Sequence, residues 1–207
     1  MKLYFVRHGE TVWNTQKIFQ GIKNSPLTEL GKEQAKKLKE YLKDVPFTHF
    51  YSSPLGRALE TINILTEDRE NAKIEIISDF REINMGLMEG IPRDDFEAAY
   101  PVEFYNLWNN GRDYDPSAFE GENLESVYQR AKNGLRYLAE THGNTDDTLL
   151  IVSHGVALEA IFANIKGETT ETFAERNVPK NTSVTTVEYK NGKYEILVFS
   201  DTTHLEK

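Results

Sequence analysis

Cysteine is absent from this chain, and its absence excludes disulfides, a thiolate nucleophile and a cysteine-ligated zinc site. It is compatible with a reducing cytosol, so a cytoplasmic location is the expectation. Long apolar runs are missing too. No uninterrupted run exceeds four residues, too few for a bilayer-spanning helix or for the apolar stretch of a secretory signal. Positive charge is in deficit, with 24 Lys and Arg against 33 Asp and Glu, a formal net charge of −9. Nucleic acid and acidic lipid both need surplus basic side chains to displace counterions, so neither is expected as a partner. An anionic ligand would need local basic residues that override the global field. Low-complexity linkers and fixed-period repeats are also absent, and the 207 residues read as one domain, 1–207.

What is present alternates between strand and helix patterns. Lys2 to Val6 is short, aromatic and β-branched and runs into Arg7-His8-Gly9, the pattern of a buried strand ending in a turn. Thr28 reads as an N-cap for a helix over Glu29 to Leu42, closed by Pro46. Phe47 to Tyr51 is a second strand, followed by a helix that Ser53-Pro54 opens and that runs to Leu65, with Pro54 in its first turn. Ile74 to Ile77 is a third strand, and Glu82 to Pro92, with two glycines, is a loop. The stretch 93–120 is helical in patches and rich in aromatics, an insertion expected to pack over the sheet as a substrate cap. Glu122 to Thr141 is a long amphipathic helix, Leu149 to Val152 a very apolar strand, and Val156 to Ile165 another helix. Ser183 to Tyr189 and Tyr194 to Phe199 flank Asn191-Gly192, a strong hairpin signal. These patterns predict a three-layer α/β/α domain: a mostly parallel central sheet, an antiparallel edge strand and a helical insertion over the active site. Ligands are expected at the carboxyl ends of the strands.

The chemistry-bearing pattern is a duplication. His8 and His154 each follow an apolar strand and one polar residue, Arg7 or Ser153, and each precedes a glycine. Two imidazoles at strand ends, with Arg7 adjoining, suit a phosphate. A phosphoryl group needs a nucleophile, cationic donors on its oxygens and an acid for the leaving oxygen. A neutral imidazole is a competent nucleophile near pH 7, Arg7 and Arg57 offer planar forks for oxygen, and Glu82 opens the glycine-containing loop where a carboxylic acid can serve as proton donor. No Gly-Lys-Ser/Thr follows Gly86 and Gly90, and no paired-ligand spacing supports a metal. Asn181-Thr182-Ser183 matches a glycosylation triplet that means nothing without a secretory signal.

Taken together, Val6-Arg7-His8-Gly9-Glu10-Thr11 with Trp13-Asn14 resembles the signature of the histidine phosphatase superfamily, the phosphoglycerate-mutase-like family. Gln20-Gly21, Pro26-Leu27-Thr28, Gly31, Ser52-Ser53-Pro54 with Arg57-Ala58 and Thr61, Arg81-Glu82 through Gly86, Glu89-Gly90, and Val152-Ser153-His154-Gly155 follow in the family's order. The resemblance implies that His8 becomes phosphorylated and that Arg7, Arg57 and His154 bind the phosphoryl group. Glu82 would serve as proton donor, with Asn14, Gln20 and Gly21 in the phosphate pocket, and no metal or other cofactor. The partner implied is a small phosphorylated metabolite, and the enzyme a histidine acid phosphatase-like phosphoric monoester hydrolase. Mutases of the family carry an adjacent arginine pair in the middle insertion, whereas this segment has only the isolated Arg93 and Arg112, which favours phosphatase over mutase. A catalytically idle phospho-ligand binder is the alternative of another class. Asn24-Ser25 stand where an acidic residue is common and Ile62 where alanine is common; neither is placed in the chemistry.

Overall fold

The structure is a computed structural model, and it describes residues 1–170 and 178–206. Its frame is a six-stranded sheet built from β1 (Lys2–Arg7), β2 (His49–Ser52), β3 (Ile74–Ile76), β4 (Thr148–Ser153), β5 (Val184–Lys190) and β6 (Lys193–Asp201), in the spatial order β3-β2-β4-β1-β5-β6. The first four strands in that order run parallel, while β5 is antiparallel to β1 and β6 antiparallel to β5. The Asn191-Gly192 turn joins β5 to β6 with both residues at positive φ, 53° and 79°, the geometry that matches a hairpin's twist. The antiparallel edge is thus a two-stranded hairpin.

Side-chain alternation splits the core between the two faces. Leu3 and Phe5 of β1 and Leu149 and Ile151 of β4 join one buried cluster with α6 (Leu124–His142) and α7 (Gly155–Lys166). Val6, Leu150 and Val152 join the other, with α2 (Glu29–Tyr41) and α3 (Gly56–Thr66). β4 is buried along its whole length, as a strand flanked on both sides and covered on both faces must be. The expected three layers are therefore present. No helix among the described residues is long and apolar enough to cross a membrane.

Thr28 caps α2 as expected, its hydroxyl accepting from the Gly31 amide at 2.9 Å. The expectation for α3 needs correction: the helix begins at Gly56, and Pro54 lies ahead of it. Ser53 Oγ accepts from Leu55 N at 3.3 Å and keeps the preceding turn out of the helix. The Arg57 amide inside the helix is met instead by Asn24 Oδ1 at 2.9 Å. The insertion resolves into α4 (Arg93–Ala99), α5 (Pro101–Asn109) and a single 3-10 turn at Pro116–Phe119. A four-residue helix, α1 (Val12–Thr15), opens the loop after β1.

That loop is seated by two glycines in contact. A Cβ on Gly9 would lie 2.7 Å from the Gly31 carbonyl oxygen, and one on Gly31 would lie 2.1 Å from the Glu10 carbonyl oxygen. The α2 start and the His8-Gly9-Glu10 segment can approach only because neither carries a side chain, and the obstructing atoms are backbone that cannot turn aside. Gly31→Ala is expected to destabilise the fold by about 1–3 kcal/mol, the usual cost of overpacking. Urea unfolding at neutral pH checks this, and a midpoint equal to the parent's would contradict it.

Candidate functional site

Strand register brings the catalytic candidates together. Val6 pairs with Val152 and Arg7 with Ser153, so the next residues, His8 and His154, leave adjacent parallel strands at the same level. Their ring centroids are 5.2 Å apart. The His8 amide donates to the Ser153 carbonyl at 3.0 Å and continues the ladder one step beyond β1. Both imidazoles are almost wholly buried. His8 sits at the floor of a cleft of about 290 Å³ lined also by Arg7, Asn14, Gln20, Gly21, Arg57 and Glu82, with hydrophobic walls above. The His154 ring packs beside His8 at an interplanar angle of 53°.

His8 is held in one tautomer. Its Nδ1 lies 2.8 Å from the Gly9 carbonyl oxygen, which can only accept, so the ring proton resides on Nδ1 and the lone pair on Nε2. Arg57 Nε–H donates to that Nε2 at 3.3 Å. Burial, then the positive charges of Arg57 and Arg7, hold the His8 pKa well below the ordinary imidazole value. The same causes, burial first, act on His154. Both rings are therefore neutral where an exposed histidine would be taking up a proton.

The guanidiniums are fixed by carbonyl oxygens rather than by carboxylates. Arg57 donates through Nη1 to the Lys23 carbonyl and through Nη2 to the Gly21 carbonyl, each at 2.8 Å. Its position in the first turn of α3 is the one expected. Burial lowers its pKa to about 10, which leaves it charged. The Gly21–Lys23 segment is in turn held by Glu89, a buried carboxylate that accepts from the amides of Ile22 (2.7 Å), Lys23 (3.0 Å) and Met85 (3.0 Å). Gly21 takes φ of 53°, and a Cβ there would strike the Glu89 carboxylate. Arg7 donates from Nη1 to the Pro179 carbonyl at 2.7 Å. Asn14 uses Oδ1 in a reciprocal cap with Thr11, and Asn181 Nδ2 donates to the His8 carbonyl at 2.9 Å. The triplet, without meaning as a glycosylation signal, thus supplies a residue that braces the His8 backbone.

Glu82 enters from the loop after β3. Its carboxylate accepts from the amides of Ile83 (3.0 Å), Val156 (3.3 Å) and Ala157 (3.0 Å), the last two in the first turn of α7. The loop carrying it is pinned from outside the cleft. Arg130 bonds the carbonyls of Asp79 and Arg81 and pairs with Glu122, while Glu122 accepts from Arg81 and from the Asn84 amide. Ser153 Oγ donates to the Phe80 carbonyl at 2.8 Å.

Three buried polar atoms here, Arg7 Nε, Gln20 Oε1 and His154 Nδ1, have no hydrogen-bond partner among the described residues. Buried polar groups are ordinarily satisfied, and three orphans around one cleft fit a polar ligand. Sequence reasoning missed Glu89, Glu122 and Arg130 as supports, and it set Asn24 aside although Asn24 meets the Arg57 amide. The structure puts the Arg93 guanidinium over the rings of Phe19 (5.3 Å) and Trp108 (5.8 Å) on the cleft wall. Arg112 is not among the residues lining the cleft. Of the insertion's aromatics, Phe96, Tyr114 and Phe119 are core, and Trp108 reaches the cleft.

The chain is similar to known proteins along nearly its whole length. The profile of the histidine phosphatase superfamily, branch 1, matches residues 3–202. Phosphoglycerate mutase-like protein 4 of Arabidopsis thaliana is 30% identical over 213 residues, covering 100% of this chain and 87% of its own. The solved structure of Bacillus stearothermophilus YhfR superposes with a TM-score of 0.92 at 34% identity, covering 99% of this chain and 98% of its own. A phosphoserine phosphatase of Entamoeba histolytica, solved as a mutant in complex with phosphoserine, gives a TM-score of 0.84 at 26% identity, covering 99% and 98%. Structural relatives thus include proteins that bind small phosphorylated ligands. The expected label of histidine acid phosphatase-like is corrected, because that group is a different family from the matching branch. The chain belongs to the histidine phosphatase superfamily, branch 1.

Proposed function

We propose that the chain is a metal-independent phosphomonoesterase working through a phosphohistidine on His8, with a small phosphorylated metabolite as substrate. The observation that carries this reading is the tautomer of His8: Nδ1–H tied to the Gly9 carbonyl, and the Nε2 lone pair beside Arg57 at the floor of a cleft that also holds Arg7 and Glu82. In the first step the Nε2 lone pair attacks phosphorus. The P–O bond to the alcohol breaks with its electrons, and the leaving oxygen takes a proton from Glu82. In the second step a water oxygen attacks phosphorus and gives its proton to the Glu82 carboxylate, and the P–N bond returns its electrons to Nε2. Two moderate barriers replace one very high one.

Arg7 and Arg57 stabilise charge on the equatorial oxygens in a site with little water, where such contacts count most. Asn14, Gln20 and Gly21 complete the pocket. His154 Nε2 lies 2.6 Å from Ser53 Oγ; with the serine hydroxyl donating, the ring proton sits on Nδ1, available to a phosphoryl oxygen. The positive charge that an anion requires is therefore protein-borne, which supports chemistry without a metal. Phosphatase rather than mutase is favoured by the cap, whose one cation on the cleft wall, Arg93, stands among Ile18, Phe19, Leu107 and Trp108. The walls favour an organic group with apolar body.

In single-turnover measurements Glu82→Gln should slow the phosphorylation step with an alkyl phosphate by about 10²–10⁴-fold while barely changing that step with 4-nitrophenyl phosphate, whose phenolate leaves unprotonated; His8→Ala serves as the blank. An equal loss on both esters would remove Glu82 from the role. Overnight dialysis against a chelator should leave turnover unchanged, and a loss restored by a divalent ion would overturn the metal-independent reading. The neutral state of His8 has a thermodynamic sign as well. Its pKa is depressed in the fold, so below about pH 6.5 the unfolded chain binds a proton that the native state refuses, and stability falls as pH falls. One such group contributes up to about 1.4 kcal/mol per pH unit. His8→Asn should flatten the stability profile on the acid side by up to that slope, measured by urea unfolding at several pH values, and parallel profiles would refute the assignment.

A further inference from the structure

A second cluster of ligand-type side chains lies at the opposite end of the parallel strands, roughly 20 Å of β4 away from His154. His49 opens β2, Asp147 immediately precedes β4, and His142 ends α6. Their ligand atoms all lie within 4.8 Å of one another. Nothing in the phosphoryl chemistry uses them. We propose that His49, His142 and Asp147 form a site for a divalent first-row transition ion of zinc type, with a fourth position open to solvent.

The geometry supports this in three ways. First, the carboxylate is divided between the rings. Asp147 Oδ2 lies 2.8 Å from His142 Nδ1, whereas Oδ1 lies 3.9 Å from His49 Nδ1, of the order separating two ligands on one ion; the Thr48 hydroxyl, 3.0 Å from His49 Nδ1 and donating to Oδ1 at 3.2 Å, bridges the two atoms that an ion would join. The two rings are neighbours, tilted at 57° with centroids 4.4 Å apart. Second, the backbone that carries the ligands is fixed. Thr48 N donates to the Thr148 carbonyl at 2.8 Å and Lys2 N to the Asp147 carbonyl at 2.8 Å. Thr145 ties the intervening turn, accepting from Asp147 N at 3.2 Å and donating to the His142 carbonyl at 2.8 Å. Third, an outer partner is already present. Tyr51, itself buried, places its hydroxyl 2.8 Å from His142 Nε2. With the ring proton on Nε2, that hydroxyl accepts it and leaves the Nδ1 lone pair for the ion, the arrangement that orients a metal-bound imidazole. The proton now shared with Asp147 only changes nitrogen.

Access and ligand type complete the argument. The His49 and Asp147 side chains are 36% and 22% exposed, so an ion can enter and keep a water, while His142 is buried behind them. Two imidazoles with one carboxylate suit zinc, cobalt or nickel and disfavour calcium and magnesium, which take oxygen. An ion here would cross-link the starts of β2 and β4 to the end of α6, a clamp on the fold remote from catalysis.

Titration with Co²⁺ as a spectroscopic probe tests the site. The parent protein and His8→Ala are both expected to take up one equivalent and develop the intense visible absorption of a four-coordinate ion. His49→Ala should bind at least about tenfold more weakly. Zn²⁺ at a hundredfold excess over its Kd should raise the parent's Tm by about 5–10 °C and leave that of His49→Ala where it was. His49 is partly exposed, so its replacement keeps the fold, and phosphatase activity in chelator should be unchanged in this variant. Absence of the band at millimolar Co²⁺ in the parent, a titration of His49→Ala identical to the parent's, or loss of the band in His8→Ala would each overturn the proposal.

Discussion

The site depends on keeping an imidazole neutral among positive charges. Two guanidiniums stand near a buried ring, and any proton added to that ring would sit unsolvated beside them. The Gly9 carbonyl then decides which nitrogen keeps the existing proton. Burial, reinforced by charge repulsion, sets the protonation state and one backbone oxygen sets the tautomer, so the lone pair faces the place where an anion would bind. On the proposed function an anion would supply the missing negative charge, so that its recognition and the activation of His8 would share one electrostatic cause.

Holding cations together without an anion costs free energy, and the fold meets that cost with neutral or remote groups. Arg57 leans on the carbonyls of Gly21 and Lys23, and Arg7 on that of Pro179. A carboxylate directly on either guanidinium would compete with phosphate. The carboxylates that do the holding act one layer out: Glu89 on backbone amides of the loop beneath Arg57, and Glu122 with Arg130 on the loop that carries Glu82. Negative charge is thus used to shape loops while the floor of the cleft stays cationic, in a chain whose overall balance is −9.

The parts of this legible in the sequence are those with a local signature. The apolar strands before His8 and His154, each followed by glycine, announce the pair because parallel neighbours in register must present equivalent positions at one level. Thr28, Asn191-Gly192 and the buried β4 run are similarly local. Glu122 and Arg130 carry no such mark, since many acids and bases on a charged surface look alike until a loop folds over them, and Glu89, though part of the resembling Glu89-Gly90 segment, gives no sign there of the amides it holds. The place of Arg93 on the cleft wall is hidden because the rings that receive it, Phe19 and Trp108, lie 74 and 15 positions away in opposite directions along the chain. Pro54 misleads for a related reason: its fixed φ suits a helix start, yet Ser53 bonds the Leu55 amide and Asn24 supplies the acceptor farther on. The cluster of His49, His142 and Asp147 has no recognisable spacing at all, because strand order rather than sequence brings it together.

The central claim concerns one bond, between His8 Nε2 and phosphorus. Rapid quenching of the enzyme during turnover of a phosphomonoester, followed by peptide mapping under alkaline conditions that preserve phosphoramidates, locates it directly. The account predicts an acid-labile phosphoryl group on His8 that decays at the rate of turnover; a label on any other residue, or hydrolysis at full rate with His8 never modified, would contradict it.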